Sequence, residues 1–129
     1  MAVRTFKDSE FSKWARGENV TDAMLCKAMT EIESALIDAR LGGFVIKKRI
    51  AAPGRGKSGS YRTIIAYRQG ARLFFRYGFA KNERENVTPR ERKALIRLGD
   101  DYMGVTNATL ARLIERGDLE EVECDEPNP

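Results

Sequence analysis

An α+β fold with a mainly antiparallel sheet is what the sequence predicts, on three observations. Apolar residues recur at helical spacing through residues 9–40, runs of strand character fill residues 44–80, and two well-capped helices follow. The predicted order is β-α-α-β-β-β-α-α. At 129 residues the chain is one domain, long enough to bury a genuine core.

Val3 to Phe6 read as a short first strand. Asp8 fits an N-cap, with Phe11, Trp14 and Ala15 on the apolar stripe of a short helix ending near Gly17. Thr21 caps a longer helix. Its positions Leu25, Ala28, Met29, Ile32, Ala35, Leu36 and Ala39 follow the i, i+3, i+4, i+7 pattern, with Gly42-Gly43 as its stop. That stripe reads as core lining, with Cys26 beside it as a small packed side chain.

Three strands follow. In the first, Phe44, Ile46, Lys48 and Ile50 alternate with Val45, Lys47 and Arg49. In the second, Tyr61, Thr63, Ile65 and Tyr67 alternate with Arg62, Ile64, Ala66 and Arg68, so a strand apolar on both sides sits centrally. Gln69-Gly70 supplies the next turn. In the third, Leu73, Phe75, Tyr77 and Phe79 face one way, and Phe74, Arg76, Gly78 and Ala80 the other. This alternation predicts that Lys47, Arg49, Arg62 and Arg76 share one face, with the two helices on the opposite face.

Thr88-Pro89-Arg90-Glu91 is a helix start with a capping box, Pro occupying the first helical position. Ala94, Leu95, Leu98 and Tyr102 form its stripe, and Gly104 stops it. A short helix begins at Thr106, with Val105 and Leu110 as a hydrophobic staple, and ends at Gly117. Leu119 and Val122 add a brief extended segment.

Charge is unevenly placed. Between Arg40 and Asn82 every formal charge is positive: Arg40, Lys47, Lys48, Arg49, Arg55, Lys57, Arg62, Arg68, Arg72, Arg76 and Lys81. Residues 118–129 hold six acids and no base, which leaves residues 1–117 with 23 bases against 13 acids, a net +10. The expected organisation is a basic folded body over residues 1–117 and a flexible acidic tail over 118–129. Basic charge carried on strands attracts a polyanion, and nucleic acid is the obvious candidate.

The chain has no histidine, which excludes Ser-His-Asp, Cys-His and His-based metal sites. Two distant cysteines, Cys26 and Cys124, argue against a disulfide framework and build no zinc site. No metal or cofactor is expected. No apolar run approaches the ~20 residues of a membrane span, and the N-terminus lacks a secretory h-region, so the expected address is the cytoplasm. The Gly56-Lys57-Ser58 triplet is not a phosphate loop. The motif needs a glycine where the chain has Ala51, and a helix where a strand follows. The segment Pro53 to Ser60 reads instead either as a glycine-rich hairpin loop with no further role or as a flexible basic loop that closes over a phosphate backbone.

PGRGKSGSYRTI (Pro53 to Ile64) and FFRYGFAKNEREN (Phe74 to Asn86), set in this element order, resemble the RelE/ParE toxin superfamily of bacterial toxin–antitoxin systems, in its RelE-like subgroup. The resemblance covers about residues 1–103. It implies a small curved antiparallel sheet backed by two N-terminal helices. It also implies an RNA endonuclease that cuts mRNA on the ribosome and a cognate antitoxin that neutralises it. ParE-like relatives poison DNA gyrase instead. By position, Arg62 matches the family's Tyr-Arg strand motif, which contacts the scissile phosphate. Lys47 and Arg49 lie on the strand that carries active-site lysines, and Lys81, Asn82 and Arg84 match the basic stretch after the last strand. Asn82 stands where some members have Arg, with Arg84 as a substitute, and Thr88 stands where some have an aromatic. Tyr61 or Tyr77 is left as the base-stacking candidate, although alternation puts both on the core face.

RNA cleavage of this kind uses the 2′-OH as internal nucleophile and leaves a 2′,3′-cyclic phosphate and a 5′-OH. It needs a base, charge stabilisation on the phosphorane and a proton for the departing oxygen. Like-charge crowding favours the neutral amine of a lysine, and the run Lys47-Lys48-Arg49 supplies it. The assignment is Lys47 as base with Glu83 as its alternative, Arg62 and Arg76 as phosphorane clamps, and Lys81 or Arg84 near the leaving group. Lys48, Arg55, Lys57, Tyr61 and Asn82 are the expected RNA-binding residues. A non-catalytic module that uses the basic sheet only for nucleic-acid or antitoxin contact is the remaining alternative.

Overall fold

A computed structural model describes residues 3–51, 60–80 and 86–124. The elements run β1 (Arg4–Asp8), α1 (Ser9–Glu18), α2 (Asp22–Glu33), β2 (Ala39–Gly42), β3 (Val45–Ile50), β4 (Tyr61–Arg68), β5 (Arg72–Ala80), α3 (Pro89–Gly104), α4 (Asn107–Glu115) and β6 (Leu119–Val122). The described strands form one sheet in the order β2-β3-β4-β5-β1-β6, antiparallel except where β1 lies parallel to β5. The α+β reading holds.

Local signals account for most boundaries. Asp8 caps α1 by accepting from the Phe11 amide at 2.7 Å, and Asn19 at φ 59° ends it in the left-handed region. Thr88 and Glu91 form a reciprocal capping box at the start of α3, and Thr106 caps α4. The second helix is shorter than its stripe predicted. It ends at Glu33, Ala35 takes φ 65°, and Ala39–Gly42 becomes the edge strand β2, paired with β3. Leu36, predicted as core, is 58% exposed. Gly42 and Gly43, at φ 119° and 53°, turn a hairpin rather than stop a helix.

α1 and α2 cover one face, as predicted, over Ile46, Ile50, Tyr61, Ile65, Leu73 and Phe75. Tyr67 on the same face donates its hydroxyl to Glu33 of α2, and burial, then Glu33, push that phenol above its ordinary range. Gly78 also lies on this side. A Cβ there would stand 2.3 Å from the Trp14 ring, so only glycine admits the indole.

The opposite face is not open across its width. α3 lies on β2, β3 and β4, with Leu95 and Ile96 packed on Val45, Ile64 and Phe79. Its inward stripe is rotated from the predicted one, since Ala94 is exposed and Gly99 is buried. Phe6, Phe74, Leu110 and Leu119 form a further cluster under α4, where Tyr102 stacks on Phe74 at 4.4 Å.

At the C-terminal end one expectation holds and one is corrected. Leu119–Val122, read as a brief extended segment, is strand β6 on the outer edge of β1, with Leu119 and Val122 buried. Cys26 and Cys124 are not separate thiols. They form a disulfide, with Cα atoms 5.5 Å apart, that ties α2 to the residues after β6. Separation in sequence says nothing about separation across a sheet whose first and last described strands are neighbours. Among the described residues, no helix is long and apolar enough to cross a membrane.

Candidate nucleic-acid interface

The register of β3, β4 and β5 builds two rows of side chains across the face opposite α1 and α2. One runs Arg49–Arg62–Phe79, the other Lys47–Ile64–Tyr77. Directly paired residues point to the same side, so Lys47, Arg49 and Arg62 do share a face. Arg49 and Arg62 stand directly opposite each other. Two like charges in that position destabilise a sheet unless an anion lies between or beside them.

Each of the three cations has its own partner. Lys47 donates to Asn86 Oδ1 at 2.9 Å, which ties β3 to the segment just before α3. Arg49 donates its backbone N–H and its Nε to the two oxygens of Asp38, at 2.6 and 3.0 Å. Arg62 is only 8% exposed, and its NH1 donates to Ser60 Oγ at 2.9 Å. Among the described residues no carboxylate pairs with Arg62 or Lys47. A guanidinium has five donors, and a largely buried one without a counter-ion is costly to hold.

The other predicted residues lie elsewhere. A β-bulge between Ile64 and Ile65 shifts the register on β5, so that Ile65 pairs with Phe75 and Arg76 is passed over. Arg76 therefore leaves the row that alternation gave it. It forms an ion pair with the buried Asp8 and lies 6.0 Å from the Tyr102 ring, and burial lowers its pKa below the ordinary guanidinium value. The same bulge brings Tyr77 round to the Lys47 side, beside Phe79 at 5.8 Å between ring centroids. Tyr61 stays on the α1 side, donating to the Glu18 carbonyl and meeting Trp14 edge-on. Lys48 also points to that side. It is buried, bonded to the Leu36 carbonyl at 2.8 Å and paired with Glu31 at 3.1 Å. It lines a groove of about 630 Å³ between α2 and β3 with Lys27, Glu31 and Asp38. Arg55, Lys57, Lys81, Asn82 and Arg84, with the alternative base Glu83, lie outside the described residues.

Sequence reasoning missed Asp38, Ser60 and Asn86, the groups that orient the three cations. Asp38 had one available signal, being the last acid before the acid-free stretch.

Further ion pairs involve the C-terminal segment: Arg4 pairs with Glu121, Lys7 with Glu120 as well as Asp22, Arg16 with Glu120, and Arg116 with Asp118. Among the described residues these C-terminal acids meet cations of β1, α1 and the end of α4, while on the Lys47–Arg62 face Arg49 has Asp38.

A family model described as RelE toxin of RelE / RelB toxin-antitoxin system matches residues 3–122 of the chain. No curated protein matches it.

Proposed function

From the premise that this chain belongs to the RelE toxin family, we propose that it cuts mRNA held on the ribosome, by attack of the RNA's own 2′-OH. The observation that carries this reading is Arg62, nearly buried, facing Arg49 across the ladder and lacking a carboxylate among the described residues.

Lys47 takes the 2′-OH proton, and the 2′-oxygen attacks phosphorus. The bond to the 5′-oxygen breaks, giving a 2′,3′-cyclic phosphate and a 5′-OH once that oxygen gains a proton. Asn86, hydrogen-bonded to Nζ, fixes the direction of the Lys47 amine. Arg62 and Arg49 offer parallel N–H donors to the phosphorane oxygens, where charge develops during the step. Arg76 is left out of this clamp because the bulge takes it out of the row and commits it to the buried Asp8. Lys81 and Arg84 keep the leaving-group role that the resemblance gives them. Tyr77, carried to this side by the bulge, is the better stacking candidate than Tyr61. A co-encoded antitoxin with an acidic segment covers the face by charge complementarity.

A site with no histidine supports modest intrinsic cleavage, which fits dependence on the ribosome to orient the mRNA. The test is mRNA cleavage in a reconstituted translation mixture. Wild type should cut only with ribosomes present and leave cyclic-phosphate ends. Arg62→Ala should lose about 10²–10³-fold in rate, the usual cost of one transition-state donor. Intact mRNA alongside trapped gyrase–DNA cleavage complexes would overturn the reading in favour of the gyrase-poisoning branch. Salt-sensitive RNA binding without cyclic-phosphate ends would leave a binding module.

A further inference from the structure

A further group of cations lies outside the face just described. Arg90, Lys93 and Arg97 follow i, i+3, i+7 spacing, so they form one stripe along α3, spanning about 10 Å at 1.5 Å per residue. All three are exposed. Among the described residues their side chains make no ion pair or hydrogen bond; the same is true of Lys13, Lys27, Arg40 and Arg68, but only Arg90, Lys93 and Arg97 line up along one helix. The neighbouring Arg92 is held back, its Nε bonded to the Leu41 carbonyl at 2.5 Å, which pins the helix to β2 and leaves the stripe outward.

The stripe is joined to the interface. Asn86, three residues before α3, is the group that Lys47 bonds, and Val87 packs in the cluster of Val45 and Ile64. A strand leaving the Lys47–Arg62 rows toward Asn86 meets α3 next.

We propose that Arg90, Lys93 and Arg97 form a guide for the phosphate backbone of the substrate RNA outside the cleavage face. The occupant is single-stranded RNA continuous with the segment in the cleft, a choice that rests on the RNA-cleaving reading above and on charge complementarity. The guide holds phosphates without reading bases, so it adds affinity and direction but no sequence preference. It also exerts its effect only on substrates long enough to reach it.

The experiment is fluorescence-anisotropy binding of 2′-O-methyl RNA, which no 2′-OH attack consumes, as a long unstructured strand and as a trinucleotide. With Arg90→Ala, Lys93→Ala and Arg97→Ala combined, affinity for the long strand should fall about a hundredfold at 0.1 M salt, and the log–log salt slope should shrink by about 2. Trinucleotide binding should be unchanged. Alanine is the best helix former, and a matched thermal melt checks the fold. A second variant, Arg90→Lys with Arg97→Lys, keeps the charge and should bind within about twofold of wild type. Wild-type affinity of the alanine variant for the long strand overturns the proposal, as it would if the stripe met only an acidic antitoxin segment. Equal loss on the trinucleotide, or equal loss on duplex RNA, overturns it as well, the latter assigning the stripe to a structured RNA. Because the strand is not cleavable, this result is independent of whether the chain cuts RNA, and the two readings fail separately.

Discussion

Asp8 does two jobs with one carboxylate. It caps α1 through the Phe11 amide and neutralises Arg76, while itself only 3% exposed. The two roles separate by substitution. Asp8→Asn keeps a capping oxygen but removes the charge; Asp8→Ala loses both. Urea unfolding should place Asp8→Ala about 1 kcal/mol below Asp8→Asn, the worth of an N-cap. Both should fall about 2 kcal/mol or more below wild type, because a buried cation left alone is expensive. Equal stabilities for the two variants would show that the cap contributes nothing. The cap was legible in the sequence, since Asp precedes an apolar stripe. The ion pair was not, because strict alternation gave Arg76 a place in the Lys47–Arg62 row and nothing in the local pattern announces a bulge. The same holds at Arg49. Its residue type marked it, but Asp38, eleven positions earlier, reaches it only through the β2–β3 hairpin.

At the scale of elements, the boundary between α2 and β2 shows what periodicity leaves out. Leu25 to Ile32 repeat at helical spacing and are buried. Ala35, Leu36 and Ala39 continue the count on paper, yet the chain uncoils at Ser34 and pairs with β3. Apolar spacing is necessary for a helix against a sheet, but a Gly-Gly hairpin turn competes for the same residues and wins by satisfying β3's edge. The other element-scale constraint is the seat of α1 on β5. Gly78 faces Trp14, which in turn meets Phe11 and Tyr61 at 5.4 and 5.2 Å between ring centroids. Gly78→Ala should cost about 1–3 kcal/mol by overpacking. It should also shift tryptophan fluorescence, because the indole must tilt out. An unchanged emission spectrum and melting temperature would show that α1 moves freely over the sheet.

For the whole molecule, the fold class and the basic sheet were legible, and the closure of the structure was not. Composition marked residues 118–129 as a tail, because Glu120, Glu121 and Glu123 dominate it. The burial of Leu119 and Val122 and the disulfide depend on β1 and β6 being neighbours, a fact of topology that no local window contains. The Cys26–Cys124 bond spans 98 residues. In the chain-entropy account, a crosslink of that span contributes about 2–5 kcal/mol. Reduction with dithiothreitol should therefore lower the denaturation midpoint, and the Cys26→Ser, Cys124→Ser variant should melt where reduced wild type does and ignore the reductant. A midpoint indifferent to reductant in wild type would remove the crosslink from the account of stability. The ion pairs of Arg4 with Glu121 and Lys7 with Glu120 were invisible for the same reason, since those acids come from the other end of the chain.

The parallel placement of β1 beside β5, with β6 on its outer edge, also sets an order of events during synthesis. Thr5 is made before both of its ladder partners, Leu73 on one side and Val122 on the other. The first strand has no sheet to join until β5 is complete, and its outer backbone groups have no ladder until β6 emerges. Such distant pairings slow folding, because the loop-closure entropy is lost before contacts repay it. Until β6 is made, β1 leaves a bare edge on the sheet, the condition in which a passing strand is most easily captured.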